Sequence, residues 1–186
     1  YAVPQAENSN FKHRPIGMGI MGFQDALYIK KIPYASEAAV DFADESMELV
    51  SYMAINASSD LAKERGSYSS YEGSLWSQGI LPLDSINILE KQRGKDYIEV
   101  DKTTRLDWDA LREKVKNQGM RNSNTMAIAP TASISIICGG TSPGVEPIAA
   151  NSYTHKTLSG SFNVRNKYLR KLLEKHGKDT DETWST

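Results

Sequence analysis

A short stretch after residue 130 combines hydroxyl side chains with a turn that opens a helix. Thr125–Ala129 is an apolar run closed by Pro130, which predicts a buried strand whose carboxyl end opens into a loop. The following Pro-Thr-Ala-Ser sequence predicts a helical turn, whose first N–H groups have no carbonyl partners. These N–H groups, with the hydroxyls of Thr131 and Ser133, suit an anion. Phosphate is the natural candidate, because its oxygens only accept hydrogen bonds.

The same residues also fit a purely structural role. A Pro-Thr-x-Ser sequence is a good helix N-cap, in which Thr131 satisfies the free N–H groups of its own helix. From physical chemistry alone the two interpretations carry equal weight. Glu146 would repel a nearby phosphate, which favours a structural role for it. Cys138 is predicted to be a buried, small apolar residue.

The GMGIMG string at Gly17–Gly22 fits the GxGxxG pattern of dinucleotide-binding loops. Such a loop follows a hydrophobic strand, and residues 10–15 (Asn-Phe-Lys-His-Arg-Pro) lack a strand pattern. We therefore expect these glycines to allow close packing of a helix. Binding of a nicotinamide cofactor is the alternative.

The composition of the chain argues against several classes of protein, including nucleic-acid-binding and membrane proteins. The 186 residues include 22 Lys plus Arg and 23 Asp plus Glu, so no basic excess favours a nucleic-acid polymer or an anionic membrane. No apolar run approaches the ~18–20 residues that cross a bilayer, and no signal peptide is evident, so we expect a cytosolic protein. One cysteine and three scattered histidines predict neither a disulfide framework nor a metal site. The chain lacks an initiating Met and ends abruptly, so we expect a piece of a longer protein.

Hydrophobic spacing in the first third of the chain predicts two helices. After an irregular opening, apolar residues from Ile16 to Leu27 predict a helix of about 15 residues that Pro33 ends. A second, long helix is expected to start at Ser36 and stop at Gly66. Its expected core stripe is Val40, Ala43, Met47, Val50, Ala54, Ala57 and Leu61.

The remaining elements are shorter. The loop at 67–80 is expected to pack its aromatic residues, Tyr68, Tyr71 and Trp76, against the domain. Helices are predicted from Asp84 to Gly94, from Asp107 to Gly119 and from Tyr168 to Gly177, with strand character at Tyr97–Val100. Residues 148–166 show no steady period.

Three segments in the same order resemble the large subunits of ribonucleotide reductases. They are RPIGMGIMGFQDALY (Arg14–Tyr28), SSDLAKERGSY (Ser58–Tyr68) and RNSNTMAIAPTASISIICGGTSPGVEP (Arg121–Pro147). The similarity extends from about Arg14 to at least Tyr168. Three ordered segments are far more specific than a lone GxGxxG.

The resemblance implies an α/β fold, namely a fragment of the ten-stranded α/β barrel of ribonucleotide reductase, helix-rich with few short strands. Residues 1–186 would form a single fragment of that catalytic barrel. Residues 1–120 would be mainly helical, 121–150 would hold the strand and a substrate-phosphate loop, and 151–186 a loop and a C-terminal helix.

The resemblance also implies a substrate site. Thr131, Ala132, Ser133 and Ile134 match the family loop that holds the substrate's phosphates. Thr131 and Ser133 would contribute hydroxyls, whereas Ala132 and Ile134 would contribute backbone N–H groups only. Some members have Thr or Ser where this chain has Ile134. Ser135 is expected to point elsewhere.

The family reduces ribonucleotides at the 2′ position through a cysteine thiyl radical. Cys138 matches none of the family's redox cysteines, so this fragment would hold no catalytic residue and bind no cofactor. The parent would need a radical source, either a metal-containing small subunit or, as the alternative, adenosylcobalamin, and a dithiol reductant such as thioredoxin or glutaredoxin. Its partners would be a ribonucleoside diphosphate, the rest of the large subunit and the small subunit. A non-catalytic structural or assembly module of a split enzyme is the competing hypothesis.

Overall fold

The computed structural model describes residues 1–185, and most of their regular structure is helical. In chain order the helices are α1 (Pro4–His13), α2 (Phe23–Lys30), α3 (Glu37–Arg65), α4 (Asp84–Arg93), α5 (Trp108–Gln118), α6 (Ala132–Ile137), α7 (Lys167–Lys175) and α8 (Asp181–Ser185). Strands β1 (Ser152–Thr157) and β2 (Gly160–Arg165) form an antiparallel hairpin. The expected helix-rich chain with few short strands is confirmed.

The chain forms two compact units. The first contains Tyr1–Gly19 and Glu37–Ala129, and the second contains Ile20–Ser36 and the residues from Pro130 onward. The core of the first unit lies between α3, α5 and the loop that precedes α4. Its buried members are Ile55, Tyr68, Tyr71, Leu81, Trp108, Leu111, Val115 and Met120.

The aromatic residues of the 67–80 loop pack against the domain, as the sequence predicts. Tyr68 and Tyr71 are buried, and their rings meet edge to face. The Tyr71 hydroxyl donates to the Val115 carbonyl at 2.9 Å, and the Trp76 indole donates to the Ser123 carbonyl at 2.9 Å. The loop is therefore held by buried aromatic area together with hydrogen bonds to the backbone.

The long helix is confirmed, but its predicted buried face is wrong. Val40 is 62% exposed and Leu61 is exposed, whereas Ile55, Ser58, Ser59 and Ala62 are buried. The buried face contains serines because a buried hydroxyl is tolerated when it is hydrogen-bonded. The Ser58 hydroxyl lies 2.9 Å from the Asn122 side-chain oxygen and also accepts from the Asn122 N–H at 3.1 Å. A count of apolar residues cannot detect such a face.

The first predicted helix is wrong at its start, and the opening segment is the helix α1 rather than irregular chain. Residues 16–18 instead lie parallel to residues 124–127. The Ile16 and Met18 N–H groups donate to the carbonyls of Asn124 and Thr125, and the Ala127 N–H donates to Met18, all at 3.0 Å. Backbone pairing with a distant segment therefore overrides the apolar spacing in this region.

The glycines of the GMGIMG string pack closely, as expected, although against extended chain and not against a helix. A Cβ atom on Gly19 would overlap the Ala127 carbonyl oxygen. A Cβ atom on Gly17 would lie 2.9 Å from the Ala127 Cβ. Glycine is required at Gly19 because the Ala127 backbone approaches it, whereas the close neighbour of Gly17 is the Ala127 side chain.

The two predicted strands are corrected. In place of a buried strand at Thr125–Ala129 there is a single parallel bridge between Met18 and Met126, and Ile128 is 47% exposed. Within residues 1–185, this run is hydrogen-bonded to another segment along one edge only, so part of it is exposed to solvent. Residues 97–100 form no strand, and a 3₁₀ turn ends at Tyr97, which is 83% exposed.

The hairpin β1–β2 was missed by sequence reasoning, although a signal for it exists. Phe162 and Val164 alternate with polar residues, and they pair across the hairpin with His155 and Tyr153. The turn at 158–159 has the two-residue length of a tight hairpin and is followed by Gly160. α8 was also missed, whereas α7 agrees with its predicted span to within two residues.

The carboxylate of Glu48 organises the segment that precedes α5. One of its oxygens accepts from the N–H groups of Arg105 and Leu106 and from the Trp108 indole, at 2.8, 3.1 and 3.0 Å. Burial raises the pKa of Glu48, but these hydrogen bonds outweigh it and hold the pKa below its usual value. Asp107 then caps α5 by accepting from the Ala110 N–H at 2.9 Å, as predicted.

Replacing Glu48 with Ala is expected to destabilise the protein in a pH-dependent way. The variant leaves three N–H groups without their acceptor, which costs roughly 2–4 kcal/mol at neutral pH. Because the folded pKa is lowered, this stability is present above the unfolded pKa of about 4.3 and is lost as pH falls through the folded pKa. Urea unfolding at neutral and acidic pH, with the exposed Glu45→Ala as control, measures it. An equal loss at both pH values would contradict the assignment.

The glycine contacts make a second prediction that compares two substitutions. Gly19→Ala forces a Cβ against the Ala127 carbonyl and is expected to cost about 1–3 kcal/mol. Gly17→Ala meets the Ala127 side chain, so Ala127→Gly should relieve it. Ala127→Gly should not relieve the destabilisation caused by Gly19→Ala, because residue 127 keeps its carbonyl group. A double-mutant cycle on unfolding midpoints measures the difference, and equal relief of both variants would show that the contact is misassigned.

Candidate functional site

The predicted phosphate loop forms the start of α6 in the second unit. The first intrahelical hydrogen bond runs from the Ser135 N–H to the Thr131 carbonyl at 2.8 Å. The N–H groups of Ala132, Ser133 and Ile134 lie in the first turn, where no carbonyl of the helix is available to them. All three residues are exposed. An external anion can therefore reach these donors.

Thr131 does not cap α6 with its own side chain. Its hydroxyl oxygen accepts a hydrogen bond from the Gly144 N–H at 2.8 Å, and no cap bond to the helix is made. The hydroxyl hydrogen remains available to donate to an acceptor. The φ angle of Thr131 is +52°, in the left-handed region that costs a non-glycine residue about 1–2 kcal/mol. Surrounding contacts must therefore impose this conformation.

The other residues of α6 divide into buried and exposed sets. Ser135 is buried, and its hydroxyl donates its hydrogen to the Ala132 carbonyl at 3.0 Å. The prediction that Cys138 is buried is wrong, since this residue is exposed. The reason is its position at the C-terminal end of a short helix whose apolar side chains face outward. Ile136 and Ile137 are 56% and 83% exposed.

The segment Thr141–Gly144 folds back onto the first turn of α6. The N–H and the hydroxyl of Thr141 both donate to the Ser135 carbonyl, at 3.1 and 3.3 Å. Gly144 then donates to Thr131, as described above. The two ends of the first helical turn are thus held by one loop.

Asp25, on α2, is a buried carboxylate that sequence reasoning did not single out. One oxygen accepts from the Ser142 N–H at 2.5 Å. The other accepts from the Tyr168 hydroxyl at 2.8 Å and lies 3.2 Å from the Lys167 ammonium. Burial raises the pKa of Asp25, but the hydrogen bonds from Ser142, Tyr168 and Lys167 outweigh it and hold the pKa below its usual value. Asp25 is therefore ionised at neutral pH.

Tyr168 contributes to the same cluster from α7. Its ring stacks on the Tyr28 ring with centroids 5.0 Å apart. Burial, together with the hydrogen bond to the Asp25 carboxylate and the charge of that carboxylate, raises the pKa of Tyr168 to about 12. No local pattern in the sequence indicates this cluster, because Asp25 and Tyr28 lie more than 100 residues before the other members.

A cavity of about 550 Å³ opens beside this cluster within the second unit. Asp25, Ser142, Tyr153, Lys167 and Tyr168 contribute to its lining, together with the Gly139–Gly140 turn. The predicted phosphate residues do not line it. Within residues 1–185, no three His, Cys, Asp or Glu side chains converge as metal ligands.

Comparison with known proteins agrees with the resemblance seen in the sequence. The family model of the ribonucleotide reductase barrel domain matches residues 1–186. This chain belongs to the ribonucleotide reductase barrel-domain family. The ribonucleoside-diphosphate reductase subunit alpha of Chlamydia muridarum is 51% identical over 177 residues, covering 95% of this chain and 17% of that protein. The large subunit of Caenorhabditis elegans is 38% identical over 182 residues, covering 98% and 21%.

Structural similarity supports the same family. The class Id ribonucleotide reductase alpha subunit of Actinobacillus ureae matches with a TM-score of 0.63 at 25% identity, over 96% of this chain and 24% of that one. The ribonucleotide reductase barrel expected from the resemblance is confirmed as the fold family, of which this chain is a fragment. The chain spans about a fifth of the length of these relatives. None of the helices in the described residues is long and apolar enough to cross a membrane.

The Tyr168–Asp25 hydrogen bond predicts that the stability of this chain depends on pH in the alkaline range. Because the folded pKa of Tyr168 is raised, the stability from this bond is complete below the unfolded pKa of about 10 and is lost as pH rises through about 12. Tyr168→Phe should therefore destabilise the protein by about 1 kcal/mol at neutral pH, with a smaller difference at high pH. Thermal unfolding across this range measures the difference, with Tyr97→Phe as the exposed control. A constant difference would contradict the assignment.

Proposed function

We propose that this chain is part of the catalytic subunit of a ribonucleoside-diphosphate reductase and that its own role is to hold the phosphates of the substrate. The observation that carries this proposal is the family match over residues 1–186. The names of the relatives, ribonucleoside-diphosphate reductase subunit alpha and large subunit, support a nucleoside diphosphate as substrate. In the family, reduction at the 2′ carbon uses a cysteine thiyl radical, and we assign that chemistry to other parts of the subunit.

The proposed phosphate contacts follow from the geometry of α6. The N–H groups of Ala132, Ser133 and Ile134 donate to phosphate oxygens, and the positive end of the helix favours the anion. The hydroxyls of Ser133 and Thr131 add two donors. Thr131 can donate while its oxygen continues to accept from Gly144. Binding of the phosphates fixes the position of the ribose, which is how this segment serves the reaction.

The proposed partners and radical source extend beyond this chain. The names of the relatives describe alpha or large subunits, which favours a second, metal-containing small subunit as the source of the radical. Adenosylcobalamin is the alternative source. A dithiol protein such as thioredoxin or glutaredoxin is proposed to return the electrons.

Removing both hydroxyls tests the phosphate contacts. In the full-length subunit, Thr131→Ala with Ser133→Ala should weaken the binding of CDP about tenfold or more, since each hydrogen bond to a charged group contributes roughly 1.5–3 kcal/mol. Affinity for cytidine, which has no phosphate, should not change. Equilibrium binding of both compounds measures the two effects. Cys138→Ser, at the other end of α6, is the matched control and should change neither affinity nor turnover.

The phosphate assignment has a clear contrary outcome. If the double variant binds CDP and cytidine with unchanged affinities, α6 is not the phosphate site. The chain would then have a structural or assembly role in the subunit.

The radical source is tested by reconstitution. The full-length subunit is assayed for CDP reduction with a radical-generating small subunit and, separately, with adenosylcobalamin. We expect activity in the first mixture. Activity in the second mixture alone would assign the chain to the adenosylcobalamin-dependent reductases.

A further inference from the structure

The backbone of Ser142 is fixed by the start of α2 on two sides. Its N–H donates to the Asp25 carboxylate at 2.5 Å, and its carbonyl accepts from the Gly22 N–H at 2.8 Å. The Ser142 side chain also accepts from the Asp25 N–H at 3.4 Å. Both residues are buried, with Asp25 at 7% and Ser142 at 2% exposure. Because these bonds are shielded from water, Ser142 has little freedom to move.

Gly144, two residues after Ser142 in the same loop, is hydrogen-bonded to Thr131. The Gly144 N–H donates to the Thr131 hydroxyl at 2.8 Å. Thr131 has a left-handed backbone, which a threonine adopts only where its surroundings enforce it. The bond from Gly144 is the side-chain contact that fixes Thr131 in place. The position of the Thr131 hydroxyl therefore depends on where the loop places Gly144.

We propose that Asp25 is a positioning residue for substrate binding, which acts through Ser142 and Gly144 to set the position of the Thr131 hydroxyl. It touches no substrate itself. This inference rests on the proposed function, because it assigns Thr131 to the phosphate site. It adds a residue that lies 106 positions earlier in the chain and on a different helix.

The charge of Asp25 is what this role requires. Its two oxygens accept hydrogen bonds from the Ser142 N–H and the Tyr168 hydroxyl and form an ion pair with the Lys167 ammonium. An amide at this position has only one oxygen, so Asp25→Asn must give up an acceptor, and its NH₂ group would face a donor. The variant keeps the shape of the side chain while weakening the hold on the loop.

The test is a double-mutant cycle in the full-length subunit. Asp25→Asn alone should raise the dissociation constant of CDP about three- to tenfold, the amount expected from one weakened hydrogen bond, and leave cytidine binding unchanged. In a Thr131→Val background the loop has no hydroxyl to position, so Asp25→Asn should have no further effect. In a Thr131→Ser background the hydroxyl is kept, and the full effect of Asp25→Asn should return.

Each contrary outcome identifies its own cause. If Asp25→Asn weakens CDP binding equally in the wild-type and Thr131→Val backgrounds, Asp25 acts by another route and the inference is overturned. An unchanged dissociation constant in the wild-type background overturns it as well. If the Thr131 and Ser133 substitutions themselves leave CDP binding unchanged, the phosphate assignment has failed and this inference falls with it.

A second variant covers the case in which Asp25→Asn does not fold. Tyr168→Phe removes one donor from the same carboxylate and keeps the ring that stacks on Tyr28. It should raise the dissociation constant of CDP in the same direction by a smaller factor, and this increase should vanish in the Thr131→Val background. An increase that persists there would overturn the inference.

Discussion

Two carboxylates whose side chains are largely shielded from solvent, Glu48 and Asp25, each accept several hydrogen bonds, and the segments around them depend on these bonds. In the first unit, Glu48 accepts from two backbone N–H groups and an indole. In the second unit, Asp25 accepts from the Ser142 backbone and the Tyr168 hydroxyl. A buried charge is stable only when it is fully hydrogen-bonded, so each carboxylate fixes the segment that supplies its donors.

This arrangement gives the proposed substrate loop its shape. Thr131 has an unfavourable backbone conformation, and its hydroxyl is bound by Gly144. The loop from Thr141 to Gly144 is in turn held by Asp25 and Ser135. Donors for an anion are thereby fixed before any substrate arrives. Pre-organisation of this kind lowers the free-energy cost of ordering the site on binding.

Agreement between sequence and structure was best where the signals were local. Caps and stops at Gly66, Asp107 and Gly119 were predicted within a residue, because N-caps and left-handed glycines act over one helical turn. The errors concern contacts between distant segments. The face of α3 was misassigned because Ser58 is buried by its bond to Asn122. The first predicted helix began too early because residues 16–18 pair with residues 124–127.

The sequence by itself determined the family, most helices and the position of the proposed phosphate loop. These features depend on motifs and helix caps that consist of neighbouring residues in the chain. The tertiary structure alone decided that Asp25 reaches Ser142, that Cys138 is exposed and that the Thr131 hydroxyl accepts from Gly144. A hydrogen bond between residues 117 positions apart, such as that of Asp25 with Ser142, leaves no periodic trace in the sequence. It exists only because folding brings two helices and a loop together.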